Sequence, residues 1–244
     1  MCESVPQVQN PTAKSVLSKV KLVCNFIELS DSGMTIIKQS IGNGPLQWVT
    51  QDYRNYGTTI NIGTGDVTAS IPVPAKFNSL NSLYFAFRKH HAGVATFQAC
   101  ESCKFKLVEY FLRIGSRTHP IKSPNSTSEF YSELLRAFGT VSDINLESSI
   151  SVAQYFKDTP VAMVNAASEQ PFQNTGAFYV GIDLESYSNT SMDSVYTGTN
   201  TSNDDIYFLP KFSNSADQGA VRVDSWALYD QLILIENGTC RVNY

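Results

Sequence analysis

Apolar residues in this chain recur mostly at every second position, and one segment departs from that rule. Over residues 105–114, Phe105, Leu107, Glu109, Phe111 and Arg113 fall on one parity and Lys106, Val108, Tyr110, Leu112 and Ile114 on the other, the repeat of a strand. The same alternation predicts strands over 20–29, where Val20, Leu22, Cys24 and Phe26 share a side, and over 67–73, which runs into Pro74. Residues 46–53 and 58–62 read as two short strands joined tightly around Asn55 and Gly57. Residues 78–88 hold Leu80, Leu83, Tyr84, Phe85 and Phe87, dense enough for a core strand. Further strands are predicted over 177–184, 206–212 and 220–236, and Asn237-Gly238 turns the last one into a hairpin with 239–244. In that long final strand Trp226, Leu228, Leu232 and Leu234 share one face and Ala227, Tyr229, Ile233 and Ile235 the other, so cover is expected on both sides. Residues 150–156 fit a strand or a short helix equally.

Helical spacing is clearest over residues 126–138. Phe130, Leu134 and Phe138 stand at i, i+4 and i+8, with Tyr131 and Leu135 widening the stripe and Ser132, Glu133 and Arg136 pointing away. Ser126 and Glu129 have the spacing of a capping box, and Gly139 stands where a left-handed closing residue belongs. A shorter helix is expected over 34–40, with Ser30-Asp31-Ser32-Gly33 as its turn or cap. Residues 89–103, 159–172 and 186–203 read as irregular connections. Some eight to ten strands with helical insertions make an all-β protein, a jelly-roll β-sandwich with one amphipathic helix set between strands.

Composition narrows the function classes. The chain has 244 residues, 42% hydrophobic and 16% charged, so its core is ample and its surface is mostly Ser, Thr and Asn. One domain over 16–244 is expected, preceded by a loose arm or linker over 1–15. Residues 1–139 carry 14 Lys and Arg against 9 Asp and Glu (+5), and 140–244 carry 4 against 13 (−9), giving the net −4. Such a split either steers one subunit's basic face onto another's acidic face or reflects local solvation. No basic patch dense enough for a nucleic-acid site occurs. The first residues lack the apolar run of a signal peptide and the longest aliphatic run, 232–235, cannot span a bilayer, so the expected protein has no membrane span and is not secreted. Five cysteines fit reduced thiols, and the sequons at Asn125, Asn189, Asn200 and Asn237 read as products of the polar composition.

Candidate chemistry is sparse. His90 and His91 are adjacent and point to opposite faces of any strand, which does not suit a shared metal. Cys100 and Cys103 form a single CxxC without a second pair, read as structural or incidental, with a labile disulfide or metal clip as the lesser reading. The carboxylates Asp183 with Glu185 and Asp204 with Asp205 read as solvated or hydrogen-bonded groups ahead of a glycosidase pair. Arg113 and Arg117 flank the Gly115 turn as planar donors suited to carboxylates or carbonyls at a packing interface. No catalytic residue, metal or cofactor is expected.

Several blocks together resemble a known family. They are SLNSLYFAFR at 79–88, FLRIGSRTHPIKSPNSTSEFYSELLRAFG at 111–139, GIDLES at 181–186, TGTNTSNDDIYF at 197–208 and VRVDSWALYDQLILIENGTCRVNY at 221–244. In order and spacing, over roughly residues 65–244, they are similar to the second jelly roll of double-jelly-roll viral major capsid proteins of the Polinton/Maverick, adintovirus and virophage lineage. The resemblance implies an upright pair of jelly rolls per subunit, three subunits per pseudo-hexagonal capsomer, and residence in the virion or in the cytoplasm or nucleus of an infected cell. Members carry both jelly rolls in about twice this length, so this chain corresponds to one half: a fragment, a half-protein or a domesticated remnant. Implied partners are further copies in a homotrimer and lattice, a first jelly roll, and minor capsid or penton proteins. The residues expected to pack or to meet neighbours are Arg113, Arg117, Phe130, Leu134, Phe138, Trp226, Leu228, Leu232 and Leu234. The competing reading is a jelly-roll module binding carbohydrate or protein, with Trp48 and Tyr53 as its candidate aromatic contacts.

Overall fold

The computed structural model describes residues 19–25, 28–42, 44–89, 102–141, 148–156, 177–186, 196–215, 219–236 and 239–244. The elements are α1 (Asp31–Ile41), β1 (Leu46–Ile62), β2 (Gly65–Thr68), β3 (Ile71–Val73), β4 (Leu80–Lys89), β5 (Leu107–Ile114), β6 (Arg117–His119), α2 (Thr127–Ala137), α3 (Val152–Phe156), β7 (Val180–Asp183), β8 (Ile206–Ser215), β9 (Gly219–Glu236) and β10 (Thr239–Asn243). The strands form two antiparallel sheets. The first runs β1-β9-β4-β7, with β10 also paired to β9, and the second runs β2-β8-β5-β6, with β3 also paired to β8. With β2 and β3 counted as one interrupted strand and β10 as an addition, the orders are 1-8-3-6 and 2-7-4-5, the jelly-roll arrangement expected from the alternation.

Inward-facing aromatics of the two sheets hold the sandwich together. Phe85 of β4 stacks on Phe208 of β8 with ring centroids 3.8 Å apart, Phe87 meets Phe212 edge-on at 5.7 Å, and Tyr110 of β5 leans on Phe208 at 5.9 Å. All five are fully buried, and each fully buried large side chain contributes about 1.5–3 kcal/mol. A second stack, Phe77 on Tyr229 at 3.9 Å, closes one end of the core, with Arg54 lying 5.7 Å from the Phe77 ring.

The helix between β6 and β7 has the expected bounds and caps. The Ser126 hydroxyl accepts from the Glu129 N–H (3.3 Å), and the Glu129 carboxylate accepts from the Asn125 N–H (2.8 Å). At the other end Gly139 has φ +73°. Its N–H donates to the Arg136 carbonyl and that of Thr140 to Leu135, a complete Schellman closure. α2 packs on β7 at Gly181, where a Cβ would lie 2.9 Å from Leu134 Cδ1 and 3.0 Å from Ala137 Cβ. A glycine there lets the helix lie directly against an edge strand that would otherwise stand open.

Several expectations are corrected. Residues 46–62 form one strand of 17 residues, with no turn at Asn55–Gly57. Gly57 is in the strand because the Arg222 and Asp224 side chains pass 3.2 Å from where its Cβ would be, a close-approach glycine and not a turn glycine. Residues 67–73 split at Ala69 and Ser70 into β2 and β3. α1 begins three residues earlier than expected, with the Ser30 hydroxyl accepting from the Gly33 N–H. Residues 150–156 resolve to the short helix α3. Within 20–29 the described residues form no strand, and Val20 and Leu22 are 81% and 91% exposed. Alternation supplies a face, but a strand also needs a partner ladder. β9 is covered on both faces only through Asp230; from Gln231 onward no residue is buried. The arm at 1–15, His90, His91, Cys100 and residues 159–172 lie outside the described residues.

Candidate assembly surface

Strand length creates the most distinctive surface. β1 and β9 pair without a register shift from Ile62–Gly219 to Leu46–Ile235, but burial of β9 ends at Tyr229, which stacks on Phe77, and at Asp230, which accepts from Ser79 and Asn81 on the other face. Beyond that point β1, β9 and β10 continue as a three-stranded tongue. Directly opposed residues of an antiparallel pair share a face, so one side of the tongue carries the row Trp48–Ile233–Val242 and the row Leu46–Ile235–Cys240. Every one of these positions is apolar, yet Trp48 is 53% and Val242 45% exposed. The reverse side carries Val49–Leu232–Asn243 and Gln47–Leu234–Arg241, half apolar and half polar. Leu232 and Leu234 therefore sit on the tongue, half-buried.

Trp226 and Leu228 lie on that same reverse face, further along the sheet where it closes against α2. Trp226 is opposite Tyr84 of β4, and Tyr84 stacks on Phe138 at 5.4 Å. The Tyr84 hydroxyl donates to the Ala137 carbonyl, and burial pushes its titration up. One rung on, Asp224 is 2% exposed and accepts from both Arg88 (2.8 Å) and Arg222 (2.8 Å), while Arg88 also lies 5.7 Å from the Trp226 ring. The other helix residues turn inward. Phe130 and Leu134 are fully buried, with Phe130 against Tyr110 at 5.3 Å and Phe178 at 6.1 Å. They anchor α2 within the chain and present nothing to a neighbour.

Arg113 and Arg117 are both exposed at the β5–β6 turn. The Arg113 guanidinium lies 4.9 Å from the Tyr207 ring. Arg117 lines a shallow cleft of about 530 Å³ with Ile114, Ser116, His119, Ser186, Thr199, Asn200 and Asp204. Gly115, at φ +55°, lets the turn pass against Asp204, and its N–H donates to the Asp205 carbonyl. Burial, and secondarily the Arg117 charge, lowers the His119 titration.

The paired acids have structural partners. Asp183 accepts from the Glu185 N–H (3.0 Å), and Glu185 accepts from the Thr197 hydroxyl (3.3 Å). Burial raises both carboxyls above their ordinary values, and the Asp183 charge adds to the shift at Glu185. Asp205 pairs with Lys76 at the surface. No cluster of three or more His, Cys, Asp or Glu suited to a metal occurs among the described residues. Trp48 and Tyr53 are both exposed but five residues apart on one continuous strand, hence on opposite faces, so they do not form a single stacking platform for a sugar.

The tongue's apolar side was not legible as a unit from sequence. In sequence Trp48 reads as a sugar contact and Ile233 and Ile235 as one face of a strand, while Leu46, Cys240 and Val242 carry no signal that joins them to it. The available signal was the run of apolar residues on both parities at 232–235 next to a two-residue hairpin turn: a strand end apolar on both sides and too close to a turn to lie deep in a sandwich.

No family model and no curated protein matches this chain. Solved structures do. It is similar to PBCV-1 VP54, in a crystal structure fitted into a cryo-EM reconstruction of the virophage Sputnik, at 10% identity and TM-score 0.50 over 88% of this chain and 55% of that one. It also matches a quasi-atomic model of the PBCV-1 virus capsid (9% identity, TM-score 0.47, 86% and 54%) and the mavirus major capsid protein (12%, 0.42, 84% and 42%). The chain spans about half the length of these structures. Its sheet orders, and its superposition on VP54 along nearly its whole length, make this protein a jelly-roll β-sandwich of the fold that VP54 carries.

Proposed function

We propose that this chain is one jelly roll of a double-jelly-roll viral major capsid protein of the Polinton/Maverick, adintovirus and virophage lineage. It is a structural subunit of the virion that performs no reaction. Three copies, each with a second jelly roll beside it, form a pseudo-hexagonal capsomer. The observation that carries this reading is the superposition on VP54, which takes in 88% of this chain and 55% of that one, the share one of two such domains would fill. The uncovered apolar rows of the tongue and the Arg113 and Arg117 turn support a surface built to meet neighbours.

Native mass spectrometry of the purified 26.9 kDa chain over a range of concentrations tests it. The expected result is a species of three chain masses that grows with concentration. A monomer at every concentration overturns self-association.

A further inference from the structure

The two arginines that flank the β5–β6 turn go to opposite sides of the second sheet. Directly opposed residues of an antiparallel pair share a face, and the register sets Arg113 beside Thr118 but Arg117 beside Ile114 and His119 beside Leu112. Leu112 and Ile114 are buried in the core, so β6 carries Arg117 and His119 on the face that the rest of the sheet turns inward. Apolar side chains are expected there. Instead a guanidinium and an imidazole line the cleft of about 530 Å³ at the sandwich edge, within the ~300–1,000 Å³ usual for small-molecule sites.

The rest of the lining is tied to the first sheet and to the approach to β8. Thr199 exchanges both backbone hydrogen bonds with Leu80 of β4 at 2.9 Å, and its hydroxyl donates to the Leu184 carbonyl at 2.9 Å. The Asn200 side-chain oxygen accepts from the Ser202 N–H (3.0 Å), which fixes the amide and leaves its nitrogen as a donor. Asp204 stands against the turn, its Oδ1 2.8 Å from where a Cβ at Gly115 would lie. Arg117 and Asp204 thus line one cleft, yet among the described residues neither forms an ion pair with the other or with anything else. Burial and then the Arg117 charge lower the His119 titration, so at neutral pH the ring is uncharged and can both give and take a hydrogen bond.

We propose that this cleft binds an acidic sugar, with the sugar carboxylate on Arg117 and its ring hydroxyls on Asp204, His119 and the Asn200 amide. The lone guanidinium presents the planar fork that grips a carboxylate through two parallel hydrogen bonds. A phosphate dianion fits worse, because a single cation faces it, the imidazole is uncharged and Asp204 repels it. Asp204 is what singles out a sugar: its two oxygens can accept from neighbouring hydroxyls, whereas a ligand that was an anion and nothing more would lose by its presence. An inward charge on an edge strand also discourages edge-to-edge pairing. That duty, however, calls for no carboxylate, amide and hydroxyls (Ser116 and Ser186) around the same cavity. Occupation of the cleft is independent of self-association, and Arg113 stays on the outer face of the sheet.

Saturation-transfer NMR of the full chain tests the site, with N-acetylneuraminic acid and glucuronic acid as probes. Glucose and acetate are the controls, one keeping only the hydroxyls and the other only the carboxylate. At least one of the two acids is expected to bind about tenfold or more tighter than either control. Arg117→Ala is expected to weaken that binding about tenfold or more through loss of the charge-assisted pair. Asp204→Ala is expected to weaken it about threefold to tenfold, although removing a negative charge would tighten any ligand held by charge alone. Both side chains are exposed, so both variants are expected to keep the wild-type Tm. No binding of either acid at up to about 10 mM, or binding of either control as tight as that of the acids, overturns the site. So does a complex that Arg117→Ala leaves unchanged, or one that Asp204→Ala leaves unchanged or tightens. None of these results touches the capsid reading, which the native mass measurement tests separately.

Discussion

Asp224 shows most directly what a single residue does here. Its carboxylate is buried on the outer face of the first sheet between Arg88, whose side chain is 13% exposed, and the more open Arg222. Removing one member of a buried pair leaves the other charge uncompensated, at about 3–5 kcal/mol. Asp224→Ala is therefore expected to lower the denaturation midpoint strongly in a urea titration, and Arg222→Ala to cost less than about 1 kcal/mol because solvent already screens that arm. Glu185 acts in the opposite sense. Its carboxyl is raised by burial and by Asp183, so the folded chain holds a proton that the unfolded chain releases. Stability then falls as pH climbs from the ordinary glutamate range through the raised folded value. Glu185→Gln keeps an acceptor for Thr197 and is expected to raise the Tm at pH 7 and flatten its pH dependence in that window. The Asp224 role was not legible in sequence because its arginines come from a neighbouring strand and from its own; at Glu185 the neighbour Asp183 is readable two residues away, but the burial and the Thr197 hydroxyl depend on what the fold brings together.

Among the elements, α2 was readable almost to the residue and β1 was not, for a physical reason. The ends of α2 are fixed by local chemistry: a hydroxyl three residues from the N–H it accepts, and a glycine at positive φ. Ser126→Ala is expected to cost about 1 kcal/mol, and Gly139→Ala about 1–2 kcal/mol for the left-handed backbone it must adopt; both can be read from thermal unfolding. β1 takes its continuity from 17 rungs shared with β9, so its length lies in the partner and not in its own pattern. The same logic explains residues 20–29, whose alternation is as good as that of β5 but whose described residues join no ladder. Alternation revealed which residues could be strand, and the topology decided which of them were.

At the scale of the whole molecule, the charge split between the two halves of the chain does not separate into two faces. The first sheet places β1 and β4, from the positive half, alternately with β9 and β7, from the negative half. The imbalance is partly spent in contacts within the molecule, Arg88 to Asp224 and Lys76 to Asp205 among them. Association through the apolar tongue should accordingly respond little to screening. Between low and moderately high salt its dissociation constant, read by sedimentation, is expected to change by less than about threefold, against the steep loss that opposed charged faces would give.

The pairing of β1 with β9 also governs how the chain must be made. A ribosome that has released residue 62 still has 157 residues to add before residue 219 emerges, some 8–30 s at about 5–20 residues per second. Throughout that interval β1 lacks its partner strand, and β4 can gain β7 on one side but not β9 on the other. The first sheet cannot be joined through its middle until β9 arrives, so every copy passes through a period when β1 is bare. Self-association as proposed above requires that period to end before neighbouring chains meet.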